Sequence, residues 1–161
     1  VVRLRFDSKN ARFEVANYTL ICRLIEGNYP NYESVIPKIN SNKLIIDRGD
    51  FATTIRRVAV FSNQASNLVK LALEGNQVTI SAQDLDFSIS AYEKLSASYD
   101  GVDMNIGFKS SFLLELLNNT ASHMVVLEMS EPAKAGLIVP FEREMEDEDL
   151  LMLIMPMMIT A

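Results

Sequence analysis

One histidine, His123, and one cysteine, Cys22, are all that the 161 residues offer as an imidazole base and a thiol nucleophile. A covalent mechanism needs nucleophile and base within hydrogen-bond reach, and these two are far apart in sequence with no nucleophile motif around either. His123 follows a predicted helix in a polar stretch and reads as a surface turn residue. Cys22 reads as a small buried hydrophobe. A lone cysteine excludes an intrachain disulfide, and with no charged-then-apolar leader a reducing, cytosolic setting fits best. Among carboxylates, the conspicuous group is Glu142-Arg143-Glu144-Met145-Glu146-Asp147-Glu148-Asp149. Its acids are consecutive, whereas cation-binding loops space their ligands, so it reads as a solvated turn. No glycine-rich phosphate loop and no paired metal-ligand spacing is present. The expectation is a protein without metal or cofactor that is not an enzyme; a hydrolase or transferase would require distant residues to converge in a pocket of perturbed titrating groups.

The chemistry that the residue types do support is apolar contact. Leu151-Met152-Leu153-Ile154-Met155-Pro156-Met157-Met158-Ile159 follows the acidic run directly. It is too short to cross a bilayer, which takes about 20 apolar residues, and too apolar for a frayed tail. It is expected to form a strand over 151–158 that ends at a surface groove. Pro156 withholds a backbone donor and favours a sheet edge, and thioethers adapt to varied partners. This terminus is read as half of a peptide-binding site. The net charge of −6 argues against coating nucleic acid through bulk positive charge, so any DNA contact must be local.

The elements that must position this tail follow from periodicity. Residues 1–6, 12–16 and 19–25 have strand character and are separated by polar turns; they resemble the closing meander of a preceding domain. The first residue is not methionine and already lies in a strand pattern, which suggests a piece of a longer protein. Residues 26–40 form an aromatic linker whose prolines, Pro30 and Pro37, and Gly27 disfavour helix and ladder. From residue 41 onward a pattern repeats. A strand over 43–48 leads to a helix capped by Asp50, with Phe51, Ile55, Val58, Ala59 and Ser62 at helical spacing, then strands 68–74, 77–83 and 87–96. Gly75-Asn76 suits a hairpin needing positive φ. The second copy has a strand over 102–108, a helix over 110–119 with Phe112, Leu113, Leu116 and Leu117 on one face, and strands 124–130, 136–141 and 151–158. Two βαβββ halves side by side predict an α+β domain, one sheet with both helices on the same face.

Four stretches make a resemblance specific: Leu24-Ile25-Glu26-Gly27-Asn28-Tyr29-Pro30-Asn31-Tyr32, Val35-Ile36-Pro37, Met104-Asn105-Ile106-Gly107-Phe108 and Ile154-Met155-Pro156-Met157. With the double βαβββ pattern they resemble the bacterial DNA polymerase III beta subunit, the sliding clamp, over essentially the whole chain. The resemblance implies a DNA-clamp fold with residues 1–25 as closing strands of a truncated second domain, 26–40 as interdomain linker and 41–161 as the third domain.

It also implies function: a ring that encircles duplex DNA without reading sequence, tethers the replicative polymerase, and docks short linear motifs of polymerase, clamp loader and repair proteins. Carried over by motif, the docking cleft comprises Pro30, Ser34 and Val35 of the linker, Lys109 and Phe112 at the second helix start, and Leu153, Met155, Pro156, Met157, Met158 and Ile159 of the tail. Ser34 and Met158 stand where the family often has arginine, and Thr160 and Ala161 extend past the usual stop. DNA-facing residues would be Arg56, Arg57 and Lys109. Head-to-tail dimerisation would use Val60 and Phe61 with Asp84, Asp86 and Glu93 near the edge strand 87–93. Without a first domain this chain would stay monomeric or associate only through that edge. The rival reading is a generic cytosolic peptide-binding adaptor with no role on DNA. A bacterial cytoplasmic location, at the nucleoid and away from membranes, follows from the clamp reading.

Overall fold

A computed structural model describes residues 1–143 and 149–159. The chain divides into two compact units, Val1–Glu33 and Ser34–Ala161. In the first, β1 (Val2–Phe6), β2 (Asn10–Val15) and β3 (Tyr18–Arg23) form an antiparallel meander in that order. Asp7 builds its first turn, accepting the amide hydrogens of Lys9 at 2.7 Å and Asn10 at 2.8 Å. Those amides hold the Asp7 carboxyl below its ordinary pKa. Every residue of β1 and β3 is exposed, and Cys22 is therefore exposed, contrary to the buried hydrophobe expected. A three-stranded meander buries large side chains only where a second layer covers them, and among the described residues of this unit only the small Ala11 is buried. Residues 26–35 are exposed, and Ile36, Pro37 and Asn40 are half-buried; Tyr29 and Tyr32 meet edge-to-face at 6.1 Å, and Tyr32–Ser34 makes a single 3₁₀ turn.

The second unit contains the doubled motif. Its first half runs β4 (Asn42–Asp47), α1 (Arg48–Ala59), β5 (Leu68–Glu74), β6 (Gln77–Asp84) and β7 (Ile89–Ser96), with a short β8 (Ser98–Asp100) after it. The second runs β9 (Met104–Lys109), α2 (Ser110–Asn118), β10 (Met124–Met129), β11 (Gly136–Pro140) and β12 (Met152–Ile154). The α+β class holds, but the strands form two sheets where a single one was expected. One has the order β12-β11-β10-β4-β8, the other β7-β6-β5-β9. Each half lends its first strand to the other: β4 pairs with β10 and β9 with β5, both antiparallel. Periodicity carries strand number and facing, whereas pairing partners are set by non-local burial, so this exchange is not readable from a local pattern.

The interior is continuous across both sheets and both helices. Val69, Leu71 and Leu73 of β5 and Val78 and Ile80 of β6 alternate inward, while Phe51, Ile55 and Val58 of α1 and Leu113 and Leu117 of α2 supply the helical faces. Burying each such side chain contributes roughly 1.5–3 kcal/mol. Phe112, expected on the apolar face of α2, is instead 54% exposed. It precedes Leu113 by one residue and so points about 100° away from it.

The helix ends show why the chain turns where it does. The N-cap of α1 is Asp47, not Asp50: Asp47 Oδ1 accepts the Asp50 amide at 2.8 Å, and Asp50 lies inside the first turn. The expected cap, Asp50, is the acid directly before the apolar face, but its own amide is the group being capped. Arg48 then reaches the far end of α2, donating to the carbonyls of Leu117 at 3.3 Å and Ser122 at 2.9 Å. The Leu117 carbonyl is one of the orphaned acceptors of the α2 C-terminus, and Ser122 lies in the loop just beyond it. Gly75 turns the β5–β6 hairpin at φ +55°, a conformation that costs glycine little.

Candidate functional site

The terminal apolar segment does not remain a single strand. Residues 152–154 pair with β11, Ile154 entering the core while Leu153 stays half-buried. Met155 is 61% exposed. The ladder ends at Ile154, opposite Gly136, the first residue of β11, and past Met155 and Pro156 the chain crosses to the other sheet. There Met157 makes an antiparallel bridge with Gly107 of β9, its amide donating to the Gly107 carbonyl at 2.8 Å. The expected strand over 151–158 is thus β12 followed by a crossing that fastens the edge of one sheet to the edge of the other.

Gly107 makes that crossing possible. An added Cβ would stand 2.8 Å from Leu68 Cδ1, 3.0 Å from Ile159 Cγ1 and 3.0 Å from the Met157 carbonyl oxygen. The tail lies against bare backbone. Gly107 was part of a recognised motif, but its physical reason appears only in three dimensions.

This crossing gathers most of the tail and helix-start residues expected to dock a peptide. Two residues beyond Gly107, Lys109 ends β9 and is the N-cap of α2, and its ammonium lies 5.0 Å from the centre of the Phe112 ring, within cation–π range. Phe112, Met155 and the 91%-exposed Met158 are open to solvent, while Leu153, Pro156, Met157 and Ile159 are half-buried. The tail therefore presents soft apolar side chains over a fixed backbone. Val35 is exposed in the second unit. Ser34, at that unit's start, is exposed too, as is Pro30 in the first unit.

The other expected groups fall on the helix and on the sheet edge. Arg56 and Arg57 both lie on the exposed side of α1. Arg56 donates to Asn118 Oδ1 of α2 at 2.9 Å. Arg57 makes a two-pronged pair with Glu93 of β7, Nε to Oε1 at 2.8 Å and Nη2 to Oε2 at 2.7 Å, and also donates to Thr54. The shared hydrogen bond raises the Arg57 pKa and lowers that of Glu93. Spacing in sequence could not reveal that pair, since its members come from the groups assigned to DNA and to the ring interface.

At the sheet end, Val60 and Phe61 follow α1 and are exposed, and β7 is an edge strand. Asp84, in contrast, is buried. Its carboxylate accepts the Asp86 amide at 3.0 Å and lies 3.4 Å from the Asn63 side-chain amide, so it acts within the turn. Asp86 is exposed beside it. His123 is exposed, and its carbonyl accepts the Arg48 amide. Among the described residues no group of three or more His, Cys, Asp or Glu could hold a metal ion. No described helix is long and apolar enough to cross a membrane. Of the acidic run, residues 144–148 lie outside the described residues; Glu142, Arg143 and Asp149 are exposed, and Arg143 pairs with Asp149 at 3.4 Å.

Residues 33–158 match the profile of the DNA polymerase III beta subunit, C-terminal domain. The chain belongs to the beta sliding clamp family. The clamp of Caulobacter vibrioides is 32% identical over 138 residues, 86% of this chain and 37% of that protein. The clamp of Pseudomonas putida is 27% identical over 157 residues, 98% of this chain and 41% of the relative. The chain thus spans about two fifths of the length of these clamps. Among solved clamps, that of Caulobacter crescentus superposes with a TM-score of 0.89 at 30% identity, covering 98% of this chain and 41% of its own. The clamp of Bartonella birtlesii, solved bound to griselimycin, gives the same score, identity and coverage. The double βαβββ pattern with its exchanged strands is therefore the clamp fold, and the generic adaptor is the weaker reading.

Proposed function

We propose that this chain is part of a DNA polymerase processivity ring, noncatalytic itself, that carries a docking surface for partner peptides on its C-terminal tail. The observation that carries the reading is the clamp-family tail itself: exposed Met155 and Met158 flanking the Met157–Gly107 bridge, with exposed Phe112 in the first turn of α2. Each leucine or phenylalanine that a partner buries there contributes roughly 1.5–3 kcal/mol, and the thioethers adjust to different side chains. Ser34 and Val35, at the start of the same unit, join this surface on the family's motif.

In the same reading, residues 1–25 close a second clamp domain, 26–40 link it to the third, and 41–161 make up the third. Arg56, Arg57 and Lys109 face duplex DNA through its phosphates, a salt-sensitive contact without base recognition. Val60, Phe61, Asp86, Glu93 and the β7 edge meet another subunit head-to-tail, with Asp84 holding the turn beneath. The partners are the replicative polymerase, clamp loader and repair proteins, in the bacterial cytoplasm at the nucleoid.

The test is titration with a fluorescent peptide carrying a polymerase-type clamp-binding motif, read by anisotropy. Met155→Glu places a charge on a solvent-exposed position and is expected to lower peptide affinity at least about tenfold while leaving the urea midpoint unchanged. Equal affinity for the variant would overturn the docking role. A collapse of the urea midpoint would make Met155 a packing residue.

A further inference from the structure

A trough of about 580 Å³ lies on the outward face of β5, β6 and β7, beyond the docking tail. Register explains it. Lys70 stands opposite Ser81, and Ser81 opposite Tyr92; one row nearer the sheet end, Gln83 stands opposite Ser90. Small or polar side chains thus make a low floor between tall walls, with Leu68 and Ile159 on one side and Leu85 and Tyr92 on the other. The loop containing Asn63 and Ser66 and the turn at Asp86 close the end.

Two features show what this trough would take. Ile159 is at once a wall of the trough and the last described residue of the docking tail, so a peptide lying on the tail continues into it. Lys70 lines the trough half-buried, and among the described residues no carboxylate pairs with it. The chain as a whole carries a charge of −6, so an acidic ligand is repelled over most of the surface and finds a cation here.

We propose that the trough is a second subsite for the docked peptide, in which an acidic side chain flanking the apolar anchor pairs with Lys70. It rests on the docking role of the tail and adds a charge preference to it. Asp86 at the closed end opposes an acid placed there, so the carboxylate belongs at the tail side, toward Lys70.

The experiment uses three fluorescent peptides with the same leucine- and phenylalanine-bearing anchor: one with neutral flanks, one with two aspartates before the anchor, one with two after it. One of the acidic peptides is expected to bind about three- to tenfold tighter than the neutral one. Lys70→Ala should erase that gain without moving the neutral peptide's affinity or the urea midpoint. Lys70→Glu should invert it, so that the neutral peptide binds tighter than the acidic one. A carbodiimide cross-link from the tighter acidic peptide should map to Lys70 by mass spectrometry. Equal binding of neutral and acidic peptides, a gain that survives Lys70→Ala, or a cross-link at another lysine would overturn the subsite and leave the docking tail standing. Failure of all three peptides to bind would overturn the docking role and the subsite together.

Discussion

A methyl group at Gly107 would have to displace the carbonyl oxygen of Met157, 3.0 Å away, and backbone yields less readily than the neighbouring Leu68 methyl. Gly107→Ala is therefore expected to cost about 1–3 kcal/mol, as overpacking generally does, read from urea denaturation. Because the displaced atoms belong to the tail, peptide affinity should fall with it. At Arg57 and Glu93 the prediction concerns pH. The folded state lowers the Glu93 pKa, so the pair's contribution is complete above the ordinary glutamate value of about 4.3 and is lost as pH falls through the depressed value. Carbon-13 NMR of the Glu93 carboxyl should titrate below that ordinary value, and Arg57→Gln should return it to the normal range. Both groups are solvent-exposed, so the effect on global stability is small.

At the scale of the element, the first turn of α1 depends on Asp47 and the last turn of α2 on Arg48, adjacent residues that serve two different helices. Asp47→Ala removes the acceptor of the Asp50 amide and is expected to cost about 1 kcal/mol, the usual value of an N-cap, seen as a lower urea midpoint with unchanged slope. Asp50 cannot substitute, since it is already within the helix and its own amide is the donor. β12 illustrates a different principle. Three residues of ladder suffice because Ile154 is anchored in the core and Met157 is tied to the second sheet, so the exposed residues between and after them need no packing of their own and can serve a partner.

For the whole molecule, strand exchange and tail crossing make a single interior from two halves, and α1 and α2 pack side by side against it. The exposed arginines of α1 differ in how free they are. Arg57 is balanced by Glu93, whereas among the described residues Arg56 hydrogen-bonds to the neutral Asn118. If this face meets DNA, Arg56→Ala should reduce the slope of log affinity against log salt by about one, and Arg57→Ala by less. Equal slopes for wild type and Arg56→Ala would remove Arg56 from the DNA-facing set.

The double βαβββ order, most strand positions and the apolar tail were legible in the chain because alternation and helical spacing record which side of each element is buried. β5 was placed residue for residue, and α1 and α2 within a turn. The cap of α1 was placed on Asp50 where the structure has Asp47, because two acids of the same type lie three residues apart. The fate of Cys22 depended on a covering layer, which no local pattern encodes. Which strand pairs with which, why Gly107 must be glycine, how Arg57 finds Glu93 and where Lys70 stands in the trough are relations between residues distant in sequence. Those were decided by the tertiary structure, because only packing brings such residues within hydrogen-bond or van der Waals range.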